Sequence, residues 1–391
     1  MTPAARVAAA IEILDRVLSG EAAEKALTTW GRANRFAGSK DRAAIRDHVF
    51  DAIRQRRSFA MWGGAETGRG LMLGWVRATG ADMSQAFSGQ GYGPPPPSPD
   101  EAGYAPPAID DWPAPVRYDY PDWLAPQLEA SLEADLPAVM AVMQARAPVH
   151  LRVNTLKTTS DAAVAALRED TIAAFAHPLA DTALEVTENA RRLRQSRAYT
   201  DGLVELQDAA SQALVARLGP PIGAGRALDY CAGGGGKALA MAAFGWSVTA
   251  HDAAPDRMKD IPDRAARAGA AIDVKAPKDL DPKARFDLVL VDAPCSGSGA
   301  WRRQPEARWD LTADRLADLT ALQDQILDHA VGHVAPQGHL AYATCSLLRA
   351  ENQGRLSAFL GRHPDWHILA ERAFSPLEGG DGFYVSILEK R

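Results

Sequence analysis

Apolar positions in the first 80 residues recur at helical spacing. In "VAAAIEILDRVLSG" (7–20) they fall on one helical face, and Gly20 marks a stop. "DRAAIRDHVFDAIRQRRSF" (41–59) repeats the pattern, so 1–80 reads as an all-helical domain. "SGQGYGPPPPSPDEAGYAPP", Ser88–Pro107, breaks the periodicity. Gly and Pro dominate it and predict an extended linker or surface loop, placed at 81–120. A helical stretch near Pro121, a strand at "VHLRVNTLK" (Val149–Lys157) and a helix at "DAAVAALRED" predict a small α/β segment over 121–205. From 206 to 391 short apolar strands alternate with amphipathic helices. The strands are "RALDYCAG", "WSVTAHD", one near "IDVKAPKD", "FDLVLVDAPC", "LAYATCS" and "GFYVSILEK". Such alternation predicts an α/β, mostly parallel, doubly wound Rossmann-like sheet with helices on both faces, whose ligands bind at strand carboxyl ends.

Composition narrows the class. With 391 residues, 47% hydrophobic and 24% charged, the chain is expected to hold more than one globular domain. No run of apolar residues is long enough for a membrane span. The N-terminal helix is interrupted by Arg6, Glu12, Asp15 and Arg16, unlike a signal peptide, so a cytoplasmic location is expected. Three cysteines, Cys231, Cys295 and Cys345, are too few and too far apart for a disulfide framework, and no C-x-x-C pair points to a metal. A net charge of −6 argues against non-specific coating of nucleic acid. Local basic tracks remain in Gly38–Ser58 and in "WRRQPEARW".

Candidate chemistry gathers where strands end. "LDYCAGGGGKALA" puts four glycines between a strand and a helix, a turn that lets backbone approach a ligand. It fails as a P-loop twice, at Cys231 and at Ala238. Gly233, Gly235 and Ala238 fit G-x-G-x-x-A, and Asp252 lies near the ~20-residue offset of a ribose-binding acid. That fit admits any cofactor with an adenosine ribose, including that of a nucleotide-dependent oxidoreductase. An oxidoreductase would leave Asp-Ala-Pro-Cys at the end of a later strand unexplained. Cys231, between Tyr230 and the glycines, reads as a packing residue. Cys295 and Cys345 both border polar loops, where a packing role fits less well.

"LDYCAGGGGK", "LVDAPCSGSGAWRRQPEARW" and "LAYATCSLLRAENQG" resemble motifs I, IV and VI of the RNA cytosine-5 methyltransferases of the Sun/RsmB type. "APVHLRVNTLK" (Ala147–Lys157) and "LQDAASQ" (Leu206–Gln212) resemble the family's upstream segment, so the likeness runs from about Ala147 to the end. The helical N-terminus is similar to the NusB-like RNA-binding domain of rRNA members. The chain departs from the pattern at three places. The family's Ala-Ala-Pro-Gly-Gly-Lys reads Ala232-Gly233-Gly234-Gly235-Gly236-Lys237, and loss of the proline is expected to loosen the turn. "DIPDRAARAG" stands where the family carries an Asn. Neither Asp273 nor Asp279 aligns with the usual acid after the third strand.

The resemblance implies S-adenosylmethionine as cofactor, held by Cys231, Ala232, Gly233, Gly234, Gly235, Gly236 and Lys237, with Asp252 on the ribose, Arg257 beside it and Asp292 near the methyl end. It implies an RNA substrate, rRNA first and tRNA as the rival, with no membrane and no obligate protein partner. The chemistry is defined. C5 of cytosine is a poor nucleophile until a thiolate adds at C6. An isolated thiol has a pKa of about 8.5 and needs help to ionise, and Asp292 suits the ring N3. By bare chemistry either strand-end cysteine could attack. The resemblance assigns attack to Cys345 and product release to Cys295. Arg302, Arg303 and Arg308, with Trp301 and Trp309, are expected to contact phosphate and bases, a Trp being equally suited to the core, and Arg152 and Asn154 to add contacts from the middle segment. A non-catalytic RNA-binding factor with a degenerate cofactor pocket is the remaining alternative, raised by the altered glycine loop.

Overall fold

The computed structural model describes residues 1–391, which divide into two compact units. The first holds 1–129, 133–146 and, returning from far along the chain, 301–311. It is helical. Pro3–Leu18 starts on Thr2, whose side chain accepts from the Ala5 amide, with Pro3 in the first turn where its missing N–H costs nothing. Ala23–Ala33, Ser39–Arg54, Arg56–Gly63 and Gly68–Thr79 follow, and Leu136–Gln144 joins them. Val7, Ile13, Leu14, Ile45, Val49, Ile53, Phe59 and Leu71 form their shared core. Arg56–Gly63 and Gly68–Thr79 approach so closely that a Cβ on Gly74 would stand 1.9 Å from the Phe59 carbonyl oxygen, which only glycine permits.

The Gly/Pro-rich stretch is not a free linker. It lies on this unit, tied by Arg69, which bonds the carbonyls of Pro95 and Pro96 and the Glu101 carboxylate, and by Tyr104, whose hydroxyl donates to the Met61 carbonyl. A Ser98–Glu101 capping box adds a helical turn within it.

The second unit carries two sheets. The smaller comprises β1 (Val149–Val153), β2 (Ala173–Ala176), β3 (Ala183–Glu188) and β4 (Val204–Leu206), in the order β2-β3-β1-β4 with every pair antiparallel. The larger comprises β5 (Arg226–Asp229), β6 (Ser247–His251), β7 (Ile272–Lys275), β8 (Phe286–Asp292), β9 (Val334–Thr344), β10 (Trp366–Phe374) and β11 (Phe383–Lys390). Its order is β10-β11-β9-β8-β5-β6-β7. The five strands from β9 to β7 are parallel, and β11 and β10 close one edge antiparallel. Short apolar runs such as Leu288–Val291 and Leu340–Ala343 are buried on both faces, as a parallel strand covered by helices must be. The order reverses between β5 and β8, where the chain leaves toward β6 and β7 and later returns to the other side of β5. Ligands of open α/β sheets sit at such a switch point, beyond the strand carboxyl ends. No helix is long and apolar enough to cross a membrane.

Candidate active site

At the carboxyl end of β5 the chain turns through Tyr230–Gly236 into the helix Gly236–Ala243. Gly233 (φ 50°) and Gly235 (φ 78°) adopt the left-handed backbone, and a Cβ on Gly235 would press within 2.8 Å of Ile261. Asp252, just past β6, accepts the Gly233 amide at 2.9 Å through one oxygen and the Ala254 amide at 2.9 Å through the other. Arg257 reaches the same carboxylate at 3.2 Å. The predicted ribose acid therefore also fixes the glycine turn. The turn is held from its other side by Arg264, which donates to the Gly234 carbonyl.

Asp229 closes β5 wholly buried, and only the Ala238 amide, short of good hydrogen-bond geometry, approaches its carboxylate. Burial, reinforced by the nearby Asp292 charge, pushes its pKa up to about 7. A buried acid so weakly hydrogen-bonded at the switch point suits a cationic ligand group, and the glycine turn suits close backbone approach. The residues present thus fit a cofactor carrying both an amino group and a ribose. Burial among Asp229, Asp292 and Asp252 holds the Cys231 thiol far above the usual range, which leaves it inert.

Lys237, in the first turn of the following helix, donates to Asp292 at 2.7 Å and lies 5.1 Å from the centroid of the Phe383 ring. Burial opposes its charge, yet Asp292, with Cys345 and Asp229 further off, keeps the ammonium above the usual lysine range. Asp292 pairs with Ala343 across β8 and β9, and the Ala293 amide donates to the Ala343 carbonyl. This register brings the two following loops together, and the Cys295 and Cys345 sulfurs stand 3.4 Å apart. All cysteines are free thiols. The hydrogen bond to Cys345, burial, and the charge on Glu351 keep the proton on Cys295. Either sulfur can donate in this contact.

Glu351, wholly buried, was not singled out from the sequence. Its carboxylate accepts from the Ser296 amide, the hydroxyls of Ser296 and Ser346, and the Gln323 amide group. Ser298 adds a bond from the Leu347 amide at 2.8 Å, and the Gly299 amide donates to the Cys345 carbonyl at 2.9 Å. The serine after each cysteine is thus tied to one carboxylate, and the repeated Cys-Ser is the only sequence signal of it. Glu351→Gln leaves donors facing a donor and is expected to cost about 2 kcal/mol, a fall in Tm of about 5 °C. Thermal unfolding checks this.

Four of the predicted RNA contacts are corrected by burial. Arg152, Asn154, Arg302 and Arg308 are all at most 4% exposed. Arg152 donates to the Leu239 carbonyl, and Asn154 to the carbonyls of Gly202 and Ala268. Both brace the small sheet against the larger one rather than facing phosphate. Arg308 donates to the carbonyls of Asp119, Arg54 and Met143 inside the helical unit, where Trp301 is also buried. Trp309 bonds the Ile53 carbonyl. Arg303 is half-buried. A His150–His177–Glu185 cluster has ligand atoms within 4.8 Å of one another. The Leu179 amide donates to His177 Nδ1, and His150 Nδ1 lies 3.0 Å from Asp208, so both rings already serve the packing of the small sheet.

Residues 219–388 match the family model for the 16S rRNA methyltransferase RsmB/F, and 120–191 match the RsmF/B-like ferredoxin-like domain. Ribosomal RNA small subunit methyltransferase B of Erwinia tasmaniensis is 35% identical over 291 residues, covering 70% of this chain and 67% of that protein. Its counterpart in Escherichia coli O6:K15:H31 is 32% identical over 292 residues, covering 71% and 67%. Among solved structures, a methyltransferase homolog protein from Pyrococcus horikoshii aligns with a TM-score of 0.62 at 22% identity, over 73% of this chain and all of that one. NSun6 from Pyrococcus horikoshii, solved with SFG, aligns at 0.60 and 16% identity, over 69% and 98%. The fold, the switch-point site and these likenesses agree, and the chain belongs to the RsmB/F family of 16S rRNA methyltransferases.

Proposed function

We propose that the protein is an S-adenosylmethionine-dependent RNA cytosine-C5 methyltransferase acting on ribosomal RNA, with Cys345 as nucleophile. The observation that carries this reading is the pair of free sulfurs 3.4 Å apart at the ends of adjacent parallel strands, beside the Lys237–Asp292 pair. The relatives' names support rRNA as the substrate class. When bound, S-adenosylmethionine supplies a methyl group on a sulfonium, which is electrophilic enough for an activated ring carbon. Asp229 and the glycine turn would hold its amino end, and Asp252 its ribose. Cys345, as its thiolate, adds to C6 of the cytosine. A proton passed to N3 through Asp292 from the Lys237 pair neutralises the charge that the addition places on the ring and stabilises the adduct. A base then takes the C5 proton, the C6–sulfur bond electrons leave on Cys345, and Cys295 assists by passing its proton to the departing Cys345 sulfur. The target base must leave its stack to reach this site, which loops and bulges in RNA make cheaper.

The test is bisulfite sequencing of rRNA and tRNA from cells with and without the protein. Loss of one rRNA 5-methylcytosine supports the reading, loss at a tRNA site transfers it to the rival substrate, and no loss overturns it. Asp229 gives a second check. Its folded pKa of about 7 exceeds the unfolded value near 3.8. The folded state therefore keeps a proton that the unfolded chain releases, and wild-type stability falls as pH rises through that window and levels off above it. Asp229→Asn lacks this loss, so its Tm relative to wild type rises from about pH 5 to about pH 8. The same variant loses most of the stabilisation that S-adenosylmethionine confers.

A further inference from the structure

The glycine turn lacks the proline that the family's sequence carries, yet side chains of this chain restrain it. Arg264, on the helix Ile261–Ala268 where the family's Asn is missing, donates to the carbonyl of Gly234, the residue at the proline's place. Its guanidinium is in turn fixed by Glu205 of β4, 3.5 Å away and only 7% exposed. Glu205 also takes Arg267 at 2.7 Å and sits across the β1–β4 register from Arg152, whose guanidinium holds the Leu239 carbonyl one turn into the helix after the glycines. The small sheet thus grips both the turn and the helix that follows it. Gly234 itself is not among the glycines with a left-handed backbone, and a Cβ there would meet nothing within 4 Å except the Arg264 guanidinium at 3.1 Å. Its amide donates no hydrogen bond, in contrast to the amides of Gly233 and Gly235. The position therefore needs neither a glycine nor an N–H, and its freedom is a cost that a proline ring would remove.

We propose that Arg264 is a positioning residue for the cofactor turn, anchored by Glu205, and does by a side-chain bond to Gly234 what the family does with a proline ring. The inference rests on the cofactor reading above. Arg264 touches no reacting atom in this role; it lowers the entropy the turn must lose when a ligand binds.

Equilibrium binding of S-adenosylmethionine to the full chain tests this with three variants. Arg264→Ala is expected to bind about tenfold more weakly, with KM for the cofactor rising by the same factor and kcat little changed. Adding Gly234→Pro to Arg264→Ala restores the affinity to within about threefold of wild type, because the ring replaces the lost restraint. Arg267→Ala, which removes the other partner of Glu205 and leaves the Gly234 bond, stays near wild type. Circular dichroism and Tm of each variant separate weak binding from misfolding. Unchanged affinity in Arg264→Ala overturns the proposal. So does equal weakening in Arg264→Ala and Arg267→Ala without rescue by proline, which would mark general damage to the Glu205 cluster. Absence of binding by the wild type would overturn the cofactor reading itself, and this inference with it.

Discussion

Cys345→Ala is expected to abolish methyl transfer, by about 10⁴-fold or more, and to form no covalent complex with RNA. Cys295→Ala is expected to accumulate a slowly resolving protein–RNA adduct. Denaturing gel electrophoresis of each variant with cytosine-bearing rRNA, with and without S-adenosylmethionine, reads both outcomes. The asymmetry follows from how the two thiols share their protons. They are 3.4 Å apart and can be ionised only one at a time without placing two anions in contact. Cys295 is the one denied its charge, because the contact with Cys345, the desolvation around it and the charge on Glu351 all raise its pKa. Cys345 is among the groups that hold the Lys237 ammonium charged. A thiolate that attacks and a thiol that keeps its proton are the two species the cycle needs, one to open it and one to close it. Adduct trapping by Cys345→Ala with a silent Cys295→Ala would reverse the roles and overturn the reading of this pair.

The strand-end motifs were legible in the sequence because their information is local. A short apolar run fixes a buried parallel strand, the glycines and the Asp after it mark where it ends, and the switch point collects such ends whatever the surface does. The doubly wound sheet followed from the same alternation. β10 did not: "WHILAERAF" mixes Glu371 and Arg372 with apolar residues, pairs only with β11, and is mostly exposed, so it lacks the apolar run that marks interior strands. The basic residues were misjudged for a different reason. Arg152 and Arg308 lie in stretches that look solvated, and only tertiary packing shows that their donors are consumed by backbone carbonyls. Glu351 and Arg264 lay beyond reach for the same reason. Each acts on a loop far away in sequence, Glu351 on Ser296 and Arg264 on Gly234, and no spacing rule links them.

Arg308→Ala is expected to destabilise the helical unit by about 3 kcal/mol or more and to leave the salt dependence of RNA binding unchanged. Arg308 is wholly buried, and its guanidinium stands 5.3 Å from the Trp301 ring while donating to three carbonyls. One of these is the Asp119 carbonyl, at 2.6 Å. The Asp119 carboxylate in turn accepts from the amides of Arg57 and Ser58, the Ser58 hydroxyl and the Gln144 amide. Burial pushes the Asp119 pKa up to about 6 in spite of these donors and the Arg308 charge. The folded state thus holds a proton at Asp119 that the unfolded chain, titrating near 3.8, gives up, and stability is lost as pH rises through about 6. Arg308 remains charged at neutral pH although burial lowers its pKa to about 10. Removing its charge moves the Asp119 value higher, so the deficit of the variant grows as pH passes 6 and is smallest near pH 4. Urea unfolding followed by the fluorescence of Trp301 and Trp309 measures this at the two ends of the range. A phosphate contact would behave oppositely. Its loss would leave the unfolding midpoint in place and reduce the slope of log affinity against log salt by about one. Arg308→Lys separates the parts further, since an ammonium keeps the charge near Asp119 but cannot span three carbonyls, and should recover the pH dependence before it recovers the midpoint.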